Sequence, residues 1–162
     1  MVTTAKALES ETNLSKARLR LWIRLYRAAR SVETELRERL RREFDATLPR
    51  FDVLAALYRQ PEGMLMTELS RALMVSNGNV TGIVDRLVGD GLIRRTRRNG
   101  DRRTSIVCLT PKGFRYFERI ATVHEGWIDE LLGTFGPGEV DRLSTLLKQL
   151  KPAREKGREE QT

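Results

Sequence analysis

From Met1 to Leu48 the chain contains neither glycine nor proline, and the first breaker is Pro49. Within that stretch Leu14, Leu21, Leu25, Ala28, Val32 and Leu36 recur at spacings of three, four and seven, with Arg and Glu between them. The spacing predicts one long amphipathic helix ending near Phe44. A small domain cannot bury the whole apolar stripe of such a helix, so residues 14–48 are expected to pack against a second copy of the chain. The polar residues 1–13 are expected to fray. Most of the arginines on this segment, from Arg18 to Arg42, read as a solvated face.

Composition narrows the function classes. The 162 residues suffice for one domain plus helices that serve assembly, and 40% hydrophobic content is enough for a core. One Cys and one His exclude a disulfide within one chain and leave no Cys/His zinc set, so no metal and no cofactor are expected. Lys and Arg number 30 against 22 Asp and Glu, a net charge of +8 that points to an anionic partner. No apolar run reaches the roughly 20 residues of a membrane span, and the first residues lack a secretory core. A cytoplasmic protein without a membrane partner is expected.

The excess charge is concentrated. Residues 94–103 carry six arginines and one aspartate, Arg94, Arg95, Arg97, Arg98, Arg102 and Arg103 against Asp101. Their surroundings set this run apart from an ordinary solvated face. A helix follows Pro49 with Phe51, Leu54, Ala55, Leu57 and Tyr58 on its apolar side, stopped by Gln60-Pro61-Glu62-Gly63. A short helix begins near Thr67, a candidate cap, and buries Leu69, Ala72 and Leu73. After Met74-Val75, Ser76 caps a further helix whose buried side is Val80, Ile83, Val84, Leu87 and Val88. Gly91 stands where a helix-terminating glycine belongs. Ile93–Arg98 and Thr104–Thr110 read as the strands of a hairpin, with Asn99-Gly100-Asp101 in its turn.

Two short helices joined by a tight turn are either a helix-turn-helix or a plain helical hairpin. The outer face of the second helix favours the former. It is Asn77, Gly78, Asn79, Thr81, Gly82, Asp85 and Arg86: short, polar and rich in glycine, which costs a helix roughly 1 kcal/mol per residue. Such a surface suits the floor of a DNA groove, where Asn meets adenine edges and Thr meets thymine methyls. A helix-turn-helix with a basic hairpin is a winged helix, the helix in the major groove and the hairpin at flanking phosphates and the minor groove. Charge on the wing supplies affinity and neutral groups on the helix read bases. Candidate DNA-binding residues are Ser76, Asn77, Gly78, Asn79, Thr81, Arg86, Arg97, Arg98, Arg102 and Arg103. The winged helix-turn-helix spans 49–110.

Thr110 and Pro111 open a long helix with a stripe of Phe114, Phe117, Ala121, His124, Ile128 and Leu131. Phe135-Gly136-Pro137-Gly138 breaks it, and Val140, Leu143, Leu147 and Leu150 mark a last helix. Residues 111–151 form a C-terminal dimerisation segment and 152–162 a flexible tail. The fold class is mainly α with a small β-hairpin wing. Cys108 invites a redox reading but fits a small buried hydrophobe in a strand. His124 reads as a packed or interface residue. No spacing of acids, bases or nucleophiles nominates an enzyme.

The run MTELSRALMVSNGNVTGIVDRLVGDGLIRR, followed by NGDRRTSIVCLTPKG, resembles the MarR family of bacterial transcription regulators. Asp101 and Arg103, then Val107, Leu109, Thr110 and Gly113, match the family's wing and its Val-x-Leu-Thr-x-x-Gly pattern. The resemblance covers about residues 15–150. It implies a triangular homodimer that binds double-stranded DNA, with Arg103 in the minor groove and Asp101 orienting it. Met74 stands where the family often has Gly, so the turn is expected to use a conformation that Met tolerates.

The segments TLPRFDVLAALYR and MVSNGNVTG look like those of members controlling breakdown of plant-derived aromatic acids, some responding to hydroxycinnamoyl-CoA thioesters. That implies a repressor released by an aromatic acid or its CoA thioester, with Trp22, Tyr26, Phe51 and Arg115 as candidate ligand contacts. Core packing is the alternative for each aromatic residue. A different class of function is a basic interaction protein that binds RNA or another anionic partner without sequence preference. The Asn77–Gly82 surface argues against it, because nonspecific electrostatics needs no such face.

Overall fold

A computed structural model of the chain describes residues 2–97 and 105–150. Helix α1 runs Val2–Phe44, followed by α2 (Leu48–Tyr58), β1 (Met64–Leu65), α3 (Met66–Ala72) and α4 (Asn77–Gly89). Strands β2 (Ile93–Arg97) and β3 (Ser105–Leu109) lead to α5 (Pro111–Leu132) and α6 (Pro137–Lys148). The architecture is a winged helix-turn-helix with long helices at both chain ends. The chain divides into two units, one up to His124 and one from Glu125 on.

The long first helix is present and begins at Val2, twelve residues earlier than its apolar stripe. Residues 2–13 contain no Gly or Pro and several good helix formers, so nothing in them stops the helix. Among the described side chains of α1, only Leu36 and Leu40, near its C-terminal end, are buried within the chain. Leu14, Leu21, Trp22 and Tyr26 are each at least 50% exposed.

The core of the first unit lies under α2, α3, α4 and the sheet. Val53, Leu54, Leu57, Leu69, Val80, Val84, Leu87 and Val107 are each at most 1% exposed. Full burial of one such side chain stabilises by roughly 1.5–3 kcal/mol. The wing is a three-stranded antiparallel sheet of order β1-β3-β2, with Met64 opposite Val107 and Arg95 opposite the same residue. A two-residue strand such as β1 is too short to show an alternation in sequence. Cys108 is buried in β3, as a strand cysteine acting as a small hydrophobe should be.

Three details correct the sequence reading. Thr67 does not cap α3; Leu65 holds that position, and its backbone N–H donates to the Glu68 carboxylate at 2.8 Å. In α3 the buried pair is Leu69 and Ser70, while Ala72 is exposed. In α5 the buried positions are Gly113, Phe117, Ile120 and Trp127, whereas Phe114 is 42% exposed. Ala121, His124, Ile128 and Leu131 of the expected stripe are half-buried beside them, because an apolar band over 100° wide spans two neighbouring lines of side chains.

The turn before α4 also departs from expectation. Met74 adopts φ +54°, the left-handed conformation that glycine favours, instead of a more ordinary one. Its N–H donates to the Arg71 carbonyl and that of Val75 to the Ser70 carbonyl, the paired bonds of a Schellman stop. Those bonds hold a geometry that costs a side-chain-bearing residue roughly 1–2 kcal/mol. The same pattern ends α4 at Gly91, φ +69°, where the sequence places a glycine.

Candidate nucleic-acid interface

The α4 helix starts at a cap the sequence specified. The Ser76 hydroxyl oxygen accepts the Asn79 N–H at 3.4 Å, satisfying one of the unpaired donors of the first turn. From there the helix separates two faces. Val80, Val84 and Leu87 are fully buried. Gly78, Asn79, Thr81, Gly82, Asp85 and Arg86 are all exposed. A Cβ added at Gly78, Gly82 or Gly89 would meet nothing within 4 Å. The glycines are therefore not demanded by packing within this chain. They leave a low, open surface to which another body can come close.

At the end of α4 the helix is bound to the wing. The Arg95 guanidinium on β2 pairs with the Asp85 carboxylate at 2.7 Å, linking the exposed helix face to the root of the hairpin. On the other side, Arg50 of α2 pairs with the Asp90 carboxylate, and the Lys112 ammonium donates to the Asp90 carbonyl at 2.8 Å. The Thr110 hydroxyl donates to the Gly91 carbonyl at 2.7 Å and accepts the Gly113 N–H at 3.0 Å. One threonine thereby closes α4, enters from β3 and caps α5. Sequence reading missed both ion pairs, because residues 40 or 10 apart leave no local pattern.

Arg97 lies at the end of β2, and Arg98, Asp101, Arg102 and Arg103 lie outside the described residues.

The four candidate ligand contacts do not converge on one site. Trp22 and Tyr26 stand together on the exposed face of α1, ring centroids 5.8 Å apart. Phe51 is packed in α2 with its ring 4.4 Å from His124 and 5.5 Å from Phe117. Burial lowers the pKa of His124 below the usual range and favours its neutral ring. Arg115 borders a cleft of about 660 Å³ with Leu57, Tyr58, Arg94, Leu109 and Phe114. A second cleft, about 850 Å³, lies where α1 meets α2 and is edged by Arg37, Arg41 and Arg42.

Comparison with known proteins places this geometry. The model of the MarR family matches residues 46–105, the segment from the start of α2 to the wing. The chain is 36% identical over 124 residues to the uncharacterized HTH-type transcriptional regulator YkoM of Bacillus subtilis, covering 76% of this chain and 79% of that protein. It is 32% identical over 153 residues to the transcriptional activatory protein BadR of Rhodopseudomonas palustris, covering 92% and 85%. Across four regulators similar in sequence the chain spans 62% to 85% of the relative's own length. Among solved structures, a mutant of Escherichia coli MarR complexed with operator DNA superposes with a TM-score of 0.73 at 28% identity, over 82% of this chain and 94% of that one.

Proposed function

The chain belongs to the MarR family of transcriptional regulators, and on that premise we propose that it binds an inverted-repeat operator as a homodimer. The carrying observation is the two-faced α4 helix, whose Asn79, Thr81 and Arg86 surface is exposed and opened by glycines that no internal contact requires. Set in a major groove, that surface reads bases, while Ser76 and Asn77 lie at the helix start near the phosphates. Arg97, Arg98, Arg102 and Arg103 supply the flanking charge, with Asp101 orienting Arg103. The superposable E. coli MarR structure holds operator DNA, which supports this placement.

Dimerisation follows from unburied apolar surface. Leu14, Leu21 and Trp22 on α1 are exposed, and so are Val140, Leu143, Leu146 and Leu147 on α6. On each helix taken by itself, exposed apolar side chains of this kind mark an interaction site. A two-fold dimer presents two α4 helices, so half-site centres stand about one helical turn apart, near 10 bp.

A mobility-shift titration with a duplex carrying the inverted repeat upstream of the protein's own gene tests the reading. Affinity is expected to fall steeply with salt and to depend on the repeat. Arg103→Ala is expected to cost roughly 1–3 kcal/mol of binding. Equal affinity for a scrambled duplex would favour the alternative of a nonspecific anion-binding protein.

We further propose release by an aromatic acid or its CoA thioester, supported by exposed Trp22 and Tyr26 and by Arg115 at a cleft. Release requires the ligand to prefer a DNA-incompetent arrangement, since equal affinity for both shifts nothing. Where the operator overlaps a promoter, the protein acts as a repressor. The related BadR is named an activatory protein, so operator position is the variable to map with a reporter.

A further inference from the structure

We propose that Met74, in the turn between α3 and α4, determines sequence specificity by reading a thymine methyl group in each half-site. The inference rests on the regulator reading and deepens it. It starts from a mismatch between backbone and side chain. Met74 holds φ +54°, a conformation in which glycine is relaxed and a side chain is strained. The turn is closed by the main chain alone, through the Met74 N–H on the Arg71 carbonyl and the Val75 N–H on the Ser70 carbonyl. A glycine would keep both bonds, so the fold has no use for the side chain. Nor does the side chain pack within the chain. At 93% exposure it is the most exposed large apolar residue among the described residues. Strain of this kind concentrates at functional surfaces, and here the only thing it retains is a side chain that faces outward.

The position of the turn specifies what the side chain meets. Met74 stands two residues before the Ser76 cap, at the end of α4 where the exposed face begins with Gly78 and Asn79. Val75 beside it is 42% exposed, so the turn presents two adjoining apolar side chains. The first turn of α4 contains no acidic residue, so no charge there repels a phosphate-bearing duplex. Recognition helices meet base edges with their N-terminal residues. In the major groove the apolar group on offer is the thymine 5-methyl, and it distinguishes thymine from the other bases. A methionine side chain is long, unbranched and polarizable, which lets it adapt to such a contact. It carries no donor for a phosphate oxygen.

Mobility-shift titrations of the full chain test the inference. The inverted-repeat duplex is prepared with single thymines replaced by deoxyuridine, which lacks only the 5-methyl. Wild-type affinity is expected to fall about fourfold for each half-site substituted at one particular thymine, as for one methyl group left unburied. Met74→Ala is expected to bind the parent duplex more weakly and to be indifferent to deoxyuridine at that position, the two losses not adding. Met74→Leu, which keeps an apolar side chain, is expected to retain the discrimination. The salt slope is expected to stay unchanged in both variants, because no phosphate contact is lost. Met74→Gly separates contact from structure: the denaturant midpoint is expected to rise while duplex affinity falls, whereas a purely structural residue would move both the same way. Wild-type indifference to deoxyuridine at every position, or equal discrimination by wild type and Met74→Ala, overturns the contact and leaves the regulator reading standing. A chain that ignores the repeat altogether sinks the regulator reading, and this inference with it.

Discussion

Gly113 lies so close to Leu92 that a Cβ on it would stand 1.8 Å from the Leu92 carbonyl oxygen. The first turn of α5 is thereby pressed against the start of β2, and the Thr110 hydroxyl binds both segments. This contact explains physically why a Val-x-Leu-Thr-x-x-Gly run belongs at this corner. Val107 fills the core, Thr110 joins three chain segments, and only a residue without a side chain admits the close approach. Gly113→Ala must displace backbone, and it is expected to destabilise by about 3 kcal/mol. The denaturant midpoint at fixed protein concentration measures it.

Met74 offers the opposite case. Its side chain is 93% exposed, so nothing packs against it, yet its backbone is left-handed. Met74→Gly relieves roughly 1–2 kcal/mol of conformational strain. The added freedom of the unfolded chain offsets about 0.5–1 kcal/mol of that. A net gain of about 0.5–1 kcal/mol is expected in the same denaturation assay, and an unchanged or lowered midpoint contradicts it.

The Arg95–Asp85 pair is solvent-exposed, so it contributes little to stability, of order 0–1 kcal/mol. Its expected effect is on DNA. Asp85→Asn removes a negative charge from the exposed α4 face and releases Arg95 toward phosphates. Duplex affinity is expected to rise, and the slope of log K against log salt to steepen by about 0.9. A slope within error of the wild type would show that Arg95 stays off the DNA.

His124 stacks on Phe51, and burial holds its pKa below the usual range. Its neutral form is favoured in the folded chain. The associated stability is complete above the unfolded-state value near 6.5 and is lost as pH falls from there toward the folded value. His124→Phe keeps a ring against Phe51 and removes the titration. Stability between pH 7 and pH 5 is then expected to decline less than in the wild type. Parallel declines would assign the acid sensitivity to other groups.

The exposed leucines of α6 provide a test of assembly. Leu143→Glu together with Leu147→Glu places charge on a face where no side chain is buried within the chain. Sedimentation velocity is expected to show a monomer, with duplex affinity falling along with the lost second α4 helix. A double variant that remains dimeric would remove α6 from the interface.

Local patterns were sufficient for much of this protein. The absence of breakers before Pro49 specified α1, Ser76 and Gly91 bracketed α4, and Thr110-Pro111 opened α5, because caps and periodicity act within a few residues. The polar outer face of α4 was legible for the same reason. Contacts between distant segments were not. No short-range signal brings Arg50 to Asp90, Asp85 to Arg95, or Arg94 to Arg115 across the cleft, and none shows that Met74 is held left-handed by bonds from α3. The order of side chains along the chain determined which helices form and which faces they offer. Only the packing of α2, α4 and the sheet decided that Arg50 meets Asp90 and Arg95 meets Asp85, because ion pairing between distant segments depends on separation in space, to which separation in sequence is no guide.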